Sequence, residues 1–182
     1  MHPILQKLQG GDRRSIGRSN AVVAEVLARP SLVGRVFEGI RSEDPVVSIP
    51  ASDALEKITA QRPELLRAHK KKLLEIAGRT EQPEVRWHMA LMIPRLSLTA
   101  RERAVAIDIL FDYLRDKSSI VQTFAMQGLA DLTARDASLK AKFLPLLEKL
   151  MAVGTPAMRA RGHKILRQWI LQGSSRRGSA VC

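Results

Sequence analysis

Between residues 46 and 58 the apolar side chains Val47, Ala51, Leu55 and Ile58 are spaced by four, four and three positions. That spacing places them on one face of an α-helix. The same spacing returns at Val85, Met89, Ile93 and Leu96, then at Val121, Ala125, Leu129 and Leu132, then at Met158, Gly162, Leu166 and Trp169. The four segments, 46–58, 84–96, 120–132 and 157–169, align without gaps at offsets of 38, 36 and 37 residues. Asp44-Pro45, Gln82-Pro83, Ser118-Ser119 and Thr155-Pro156 stand at their entries. A small polar residue satisfies the first free amides of a helix, and proline suits the first turn because its missing N–H costs nothing there. Strict alternation of apolar and polar residues is almost absent. The pattern therefore predicts an all-α protein.

Related turns follow the first three segments, over 59–63, 97–103 and 133–139, and Thr99 with Glu102 forms a capping box in the second of them. A second helical run follows each turn, over 64–77, 100–114 and 139–152. Pro94 and Pro145 fall inside apolar helical patterns. Each predicts a bend, or at Pro145 the start of a helix. The unit is helix, turn, helix with a period of about 37 residues, which belongs to the α-solenoid class. One pair cannot bury its apolar face alone. Stacked pairs build a continuous core, and the small residues Ala51, Ala125 and Gly162 permit close approach.

The stretches "DPVV" with the small residues after it, and "PEVRWHMALMIPRL", resemble HEAT repeats. That family is marked by proline, then Val-Arg, then small residues and a leucine on the first helix. Arg86 and Arg159 match its arginine, while Ser48 and Gln122 depart from it. The resemblance covers roughly 44–169 and extends to a degenerate pair over 20–27 and 30–40. It implies a right-handed α-α superhelix of stacked helical hairpins, HEAT/armadillo-like, with the second helices lining a concave face. The expected organisation is a flexible arm over 1–19, about four helix pairs plus a C-terminal helix over 20–171, and a disordered basic tail over 172–182.

Composition narrows the partners. Lys and Arg total 30 against 18 Asp and Glu, a formal net charge of +12, which attracts phosphate backbones and anionic surfaces. The one cysteine, Cys182, has no internal partner, so no disulfide framework is expected. The first residues contain too short an apolar run for a secretory signal, and no run approaches a membrane span. A cytoplasmic protein is the simplest expectation.

The basic residues are the candidate partner-binding set. Arg67, Lys70 and Lys71 open the first of the second helices. Arg101, Arg103, Lys140 and Lys142 hold early positions on the next two, and Arg62, Arg95 and Arg135 lie near the turns. Stacking predicts a cationic stripe along one edge, the footprint of a phosphate backbone or an acidic protein. The same residues also make the solvated polar rim that any such stack needs. Phe111 and Tyr113 are candidate anchors. Asp108, Asp112 and Asp116 repeat at intervals of four, which reads as an acidic line paired with neighbouring cations rather than a cation site. Trp87 and Trp169 read as packing residues.

His2, His69, His88 and His163 are scattered, and none has a second His or Cys at metal-ligand spacing. Neither a Gly-rich phosphate loop nor a nucleophile motif occurs. The expectation is a non-enzymatic binding or scaffold module without metal or cofactor, holding a protein partner. The alternative is a nucleic-acid-binding protein. HEAT-like folds include DNA glycosylases for alkylated bases, which use aromatic residues and an Asp on the concave surface; that cluster is missing here.

Overall fold

The computed structural model describes residues 1–9, 15–134 and 136–178, with side chains as far as 172. Ten α-helices occur among the described residues: α1 (Pro3–Gln6), α2 (Ser19–Ala28), α3 (Val33–Ile40), α4 (Pro45–Gln61), α5 (Lys70–Ala77), α6 (Pro83–Met92), α7 (Ala100–Tyr113), α8 (Ser119–Thr133), α9 (Ala137–Val153) and α10 (Pro156–Gly178). Among those residues there is no strand, so the chain is all-α.

Helix entries follow the capping chemistry in the sequence. The Asp44 carboxylate accepts the Val46 amide at 2.9 Å, and Asp136 accepts that of Leu139 at 2.8 Å. Both bonds of the Thr99/Glu102 capping box form, at 3.3 and 2.8 Å. At α8 the donor and acceptor shift by two residues: Asp116 accepts the Ser118 amide at 2.8 Å.

Four local features differ from the expectation. The run over 64–77 divides into a 3-10 segment, Pro63–His69, and α5. The tighter segment buries Leu66 and stacks His69 on Phe37 at 4.6 Å. Pro94 ends α6 in a 3-10 turn, whereas Pro145 lies inside α9 and does not begin it. Part of the 1–19 arm is packed structure: Ile4, Leu5 and Leu8 are buried in the core, and α1 packs on α3. An apolar cluster this short is driven to cover α3 because it would otherwise leave both apolar faces wet. At the other end α10 continues to Gly178, so seven residues of the expected tail carry on the helix; 179–182 lie outside the described residues.

α4 packs on α6, α6 on α8, and α8 on α10, while α5 contacts α6 and α7, α7 contacts α8, and α9 contacts α8 and α10. The repeated apolar positions make the core: all of them are buried except Leu166, which is half-buried. α8 runs close to α6 at Gly128, where a Cβ would stand 2.6 Å from the Ala90 carbonyl oxygen of α6.

One repeated position has a recurring task. Arg86 donates from Nε to the Thr80 carbonyl at 2.6 Å, Gln122 from Nε2 to the Asp116 carbonyl at 2.7 Å, and Arg159 to the Gly154 carbonyl at 2.6 Å. Each side chain reaches back and closes the turn that feeds its own helix. Gln122 therefore departs from arginine in identity but does the same job. Ser48 is too short for this and bonds Gln82 at 3.1 Å across to the next unit. Arg86 does the most, adding an ion pair to Asp116 at 2.6 Å and lying 5.3 Å over the Tyr113 ring. Burial pushes the Tyr113 hydroxyl up, and it donates to the Ala77 carbonyl at 2.7 Å.

Candidate interaction surfaces

The expected cationic stripe is largely engaged within the fold. Arg95 pairs with Glu56 at 2.7 Å and also donates to the Glu56 carbonyl and Thr59. Lys70 pairs with Glu102 at 2.7 Å and donates to the Ser97 carbonyl. Arg103 pairs with Asp136 at 2.8 Å and reaches the Leu132 carbonyl. Arg62 pairs with Glu64. Lys140 lies 4.7 Å over the Trp169 ring and Lys142 4.9 Å over Phe111. These pairs tie neighbouring units together and hold the Glu102 and Asp136 carboxyls below their ordinary range. For Glu102 the largest cause is the Lys70 bond; for Asp136 it is the Leu139 amide, then Arg103. Arg67, Lys71 and Arg101 are exposed and have no acidic partner among the described residues; Arg135 lies outside them.

Lys71 and Arg101 meet in a groove of about 480 Å³ between α5 and α7, with Leu74, Glu75 and Val105. Arg103 faces a separate cleft, where the α6–α7 turn meets the end of α8. Asp108, Asp112 and Asp116 do not share a helix, because α7 ends at Tyr113. Asp116 is spent on Arg86 and on the Ser118 amide, as the pairing expectation required for that residue. No group of three His, Cys, Asp or Glu among the described residues is placed to hold a metal ion.

The least anticipated feature is a polar row crossing the first helices. His88 occupies the same repeat position as Pro50, Phe124 and Arg161, at the offsets 38, 36 and 37. Its ring is 2% exposed and faces the buried Asp53 of α4. Asp53 accepts from the Ser19 hydroxyl of α2 and from Lys57 at 2.7 Å. Burial works to raise the Asp53 carboxyl, but His88, Lys57 and Ser19 together hold it down at about 2.

Ser52, His88 and Asp53 have the residue types of a hydrolytic triad, and their bonding excludes that role. His88 Nδ1 lies 2.6 Å from the Glu84 carbonyl, which only accepts, so Nδ1 carries a proton. The Ser52 hydroxyl donates to the Ile49 carbonyl at 2.7 Å. Its oxygen, 3.0 Å from Nδ1, is left as a second acceptor. No base faces the Ser52 proton, and Ser52 is fully buried. Nε2 has no hydrogen-bond partner and stands 3.6 Å from Asp53 Oδ1. The cluster clamps α2, α4 and α6 together.

This clamp makes a pH-dependent contribution. The folded Asp53 carboxyl titrates near 2, below its ordinary 3.8. Its contribution is therefore complete above pH 3.8 and is lost as pH falls through 2, amounting to about 2 kcal/mol. Urea unfolding of the native chain and of Asp53→Asn at pH 6 and pH 2 checks this. The stability gap between the two chains is expected to shrink by about 2 kcal/mol at the lower pH; an unchanged gap refutes the assignment.

Beyond His88 the row continues through aromatic contacts. Trp87 stacks on Phe124 of α8 at 5.2 Å, and the Arg161 guanidinium of α10 lies 5.6 Å over Phe124. Arg161 also donates to Gln127 at 3.0 Å. Trp169 is buried, edge-on to Phe143 at 6.1 Å. The row ends in a groove of about 380 Å³ between α8 and α10, floored by Ile120, Phe124, Ala157 and Ala160 and rimmed by Arg161 and Lys164. The sequence carried a signal for the row in its repeat register: reading down the column of Pro50, His88, Phe124 and Arg161 joins residues that look scattered along the chain.

No family model, curated protein or solved structure matches the chain. No helix among the described residues is long and apolar enough to cross a membrane.

Proposed function

We propose that the chain is a non-enzymatic, cytoplasmic binding module. Its helical pairs stack in the manner of HEAT repeats, twist into a right-handed superhelix with one concave face, and hold a protein partner along the grooves between helices. The observation that carries this reading is the division of labour among polar groups. Side chains with catalytic potential, His88, Asp53 and Ser52, are buried: Ser52 and His88 bond each other and backbone carbonyls, and Asp53 accepts from Ser19 and Lys57. The open surfaces are grooves with apolar floors and charged rims, such as those at Lys71 and Arg101 and at Ile120 and Lys164. Such surfaces suit side-chain anchors from a protein.

A second reading, nucleic-acid binding, draws on the net charge of +12. The aromatic rings weigh against base stacking, since Phe124, Phe111 and Trp169 each already lie beneath a cation of the chain. Affinity capture at about 150 mM salt separates the two. The expected result is one acidic protein retained in stoichiometric yield, with a random DNA duplex washed away. Retention of the duplex at that salt, or release of base from alkylated DNA, overturns the reading.

A further inference from the structure

The charge of the chain is concentrated at one end. α10 carries Arg159, Arg161, Lys164, Arg167, Arg176 and Arg177 and no Asp or Glu. Lys164 is exposed and has no acidic partner among the described residues, in contrast to Lys70, Arg95 and Arg103. The α8–α10 groove opens beside two of these cations, Arg161 and Lys164. Ile120 on its floor is 55% exposed, and Ala157 and Ala160 leave the opposite wall low. α8 and α10 both begin at this groove, and the positive ends of their dipoles add to the field. A bulky aliphatic side chain on a solvated surface, with Lys164 and Arg161 beside it and no carboxylate among the described residues that line the groove, is matched by a ligand that is acidic and carries its own aliphatic anchor.

We infer that the α8–α10 groove is the docking site for an acidic peptide segment of the partner, which sets one or two aliphatic side chains on Ile120, Ala157 and Ala160 and aligns carboxylates with Lys164 and Arg161. The inference rests on the protein-binding reading above and fixes the place and chemistry of the contact. A nucleobase is a poorer occupant. Phe124, the one aromatic ring in the groove, is engaged by Trp87 and Arg161. The sugar–phosphate backbone has no use for an aliphatic floor.

The test uses the full chain and three fluorescent probes: a Glu-rich peptide of about 14 residues with Leu at two positions four apart, the same peptide with Ser for Leu, and a DNA duplex of about 20 base pairs. The Leu peptide is expected to bind, and the Ser peptide to bind at least roughly tenfold more weakly. Ile120→Ser and Lys164→Glu are each expected to weaken the Leu peptide by roughly tenfold or more, with Arg79→Glu, an exposed charge in the α5–α6 turn, unchanged. Both test residues are exposed, and an unaltered thermal melt confirms folding.

Equal binding of the two peptides, or of the native and both variant chains, overturns the inference. Loss on Lys71→Glu in place of Lys164→Glu moves the peptide to the α5–α7 groove; that result sinks the inference and leaves the protein-binding reading standing. Binding of the duplex with neither peptide bound sinks both, and failure of all three probes to bind sinks the inference.

Discussion

Arg86→Ala is expected to lower the unfolding free energy by about 3 kcal/mol. The side chain does three things at once: it pairs with Asp116, caps the Thr80 carbonyl and covers the Tyr113 ring. The Asp116 side chain is only 7% exposed, so truncating Arg86 leaves a poorly solvated carboxylate facing a void. Breaking one side of such a pair costs more than the pair is worth relative to apolar neighbours. Urea unfolding measures the loss. Arg86→Lys is expected to recover only part of it, because a single ammonium cannot span Asp116 and Thr80 with the planar fork that guanidinium provides. A cycle with Asp116→Asn isolates the pair, and a coupling energy of about 1 kcal/mol or more is expected between them. A loss below about 0.5 kcal/mol for Arg86→Ala counts as an ordinary surface change and refutes the assignment.

The second large effect is at Gly128. In an unconstrained helix, Gly→Ala is stabilising by about 1 kcal/mol. Here the new methyl group would stand 2.6 Å from the Ala90 carbonyl oxygen and 3.2 Å from Leu110. The obstacle is backbone, so α6 and α8 must separate along a buried contact. Gly128→Ala is expected to destabilise by about 3 kcal/mol, the upper end for overpacking. Gly162 supplies the contrast. Its Cβ would meet Cγ and Sδ of Met151, a side chain that must change rotamer rather than a backbone that must move. Gly162→Ala is expected to destabilise by less than Gly128→Ala, by about 1 to 2 kcal/mol. If thermal melts rank the two variants the other way round, the close passage of α6 and α8 at Gly128 is wrong.

The elements were readable because their signals are local. Spacing of four, four and three, a proline or capping residue at the entry, and the Thr99/Glu102 box each act within one or two turns, and the helices follow them. The burial of Val47, Val85, Val121 and Met158 was readable for the same reason. What escaped was decided between units. The passage at Gly128 depends on which residue of α6 lies opposite. The fate of the cations depended on finding Glu56, Glu102 and Asp136 across turns, and a list of basic residues holds no information about that. His88 looked isolated because its partner Asp53 is 35 positions away in the chain and next to it only in the stack. The burial of Ile4, Leu5 and Leu8 against α3 was not readable, because the three make too short a run to show periodicity.

The helix–helix contacts differ in how closely they are made. α6 and α8 come close at Gly128, and α4 is tied to α6 by the buried Ser52–His88 hydrogen bond, whereas α5 and α7 leave an opening of about 480 Å³ between them. Truncating a side chain at the α4–α6–α8 contacts is therefore expected to cost more stability than truncating one that lines the α5–α7 opening, where water already reaches both helices.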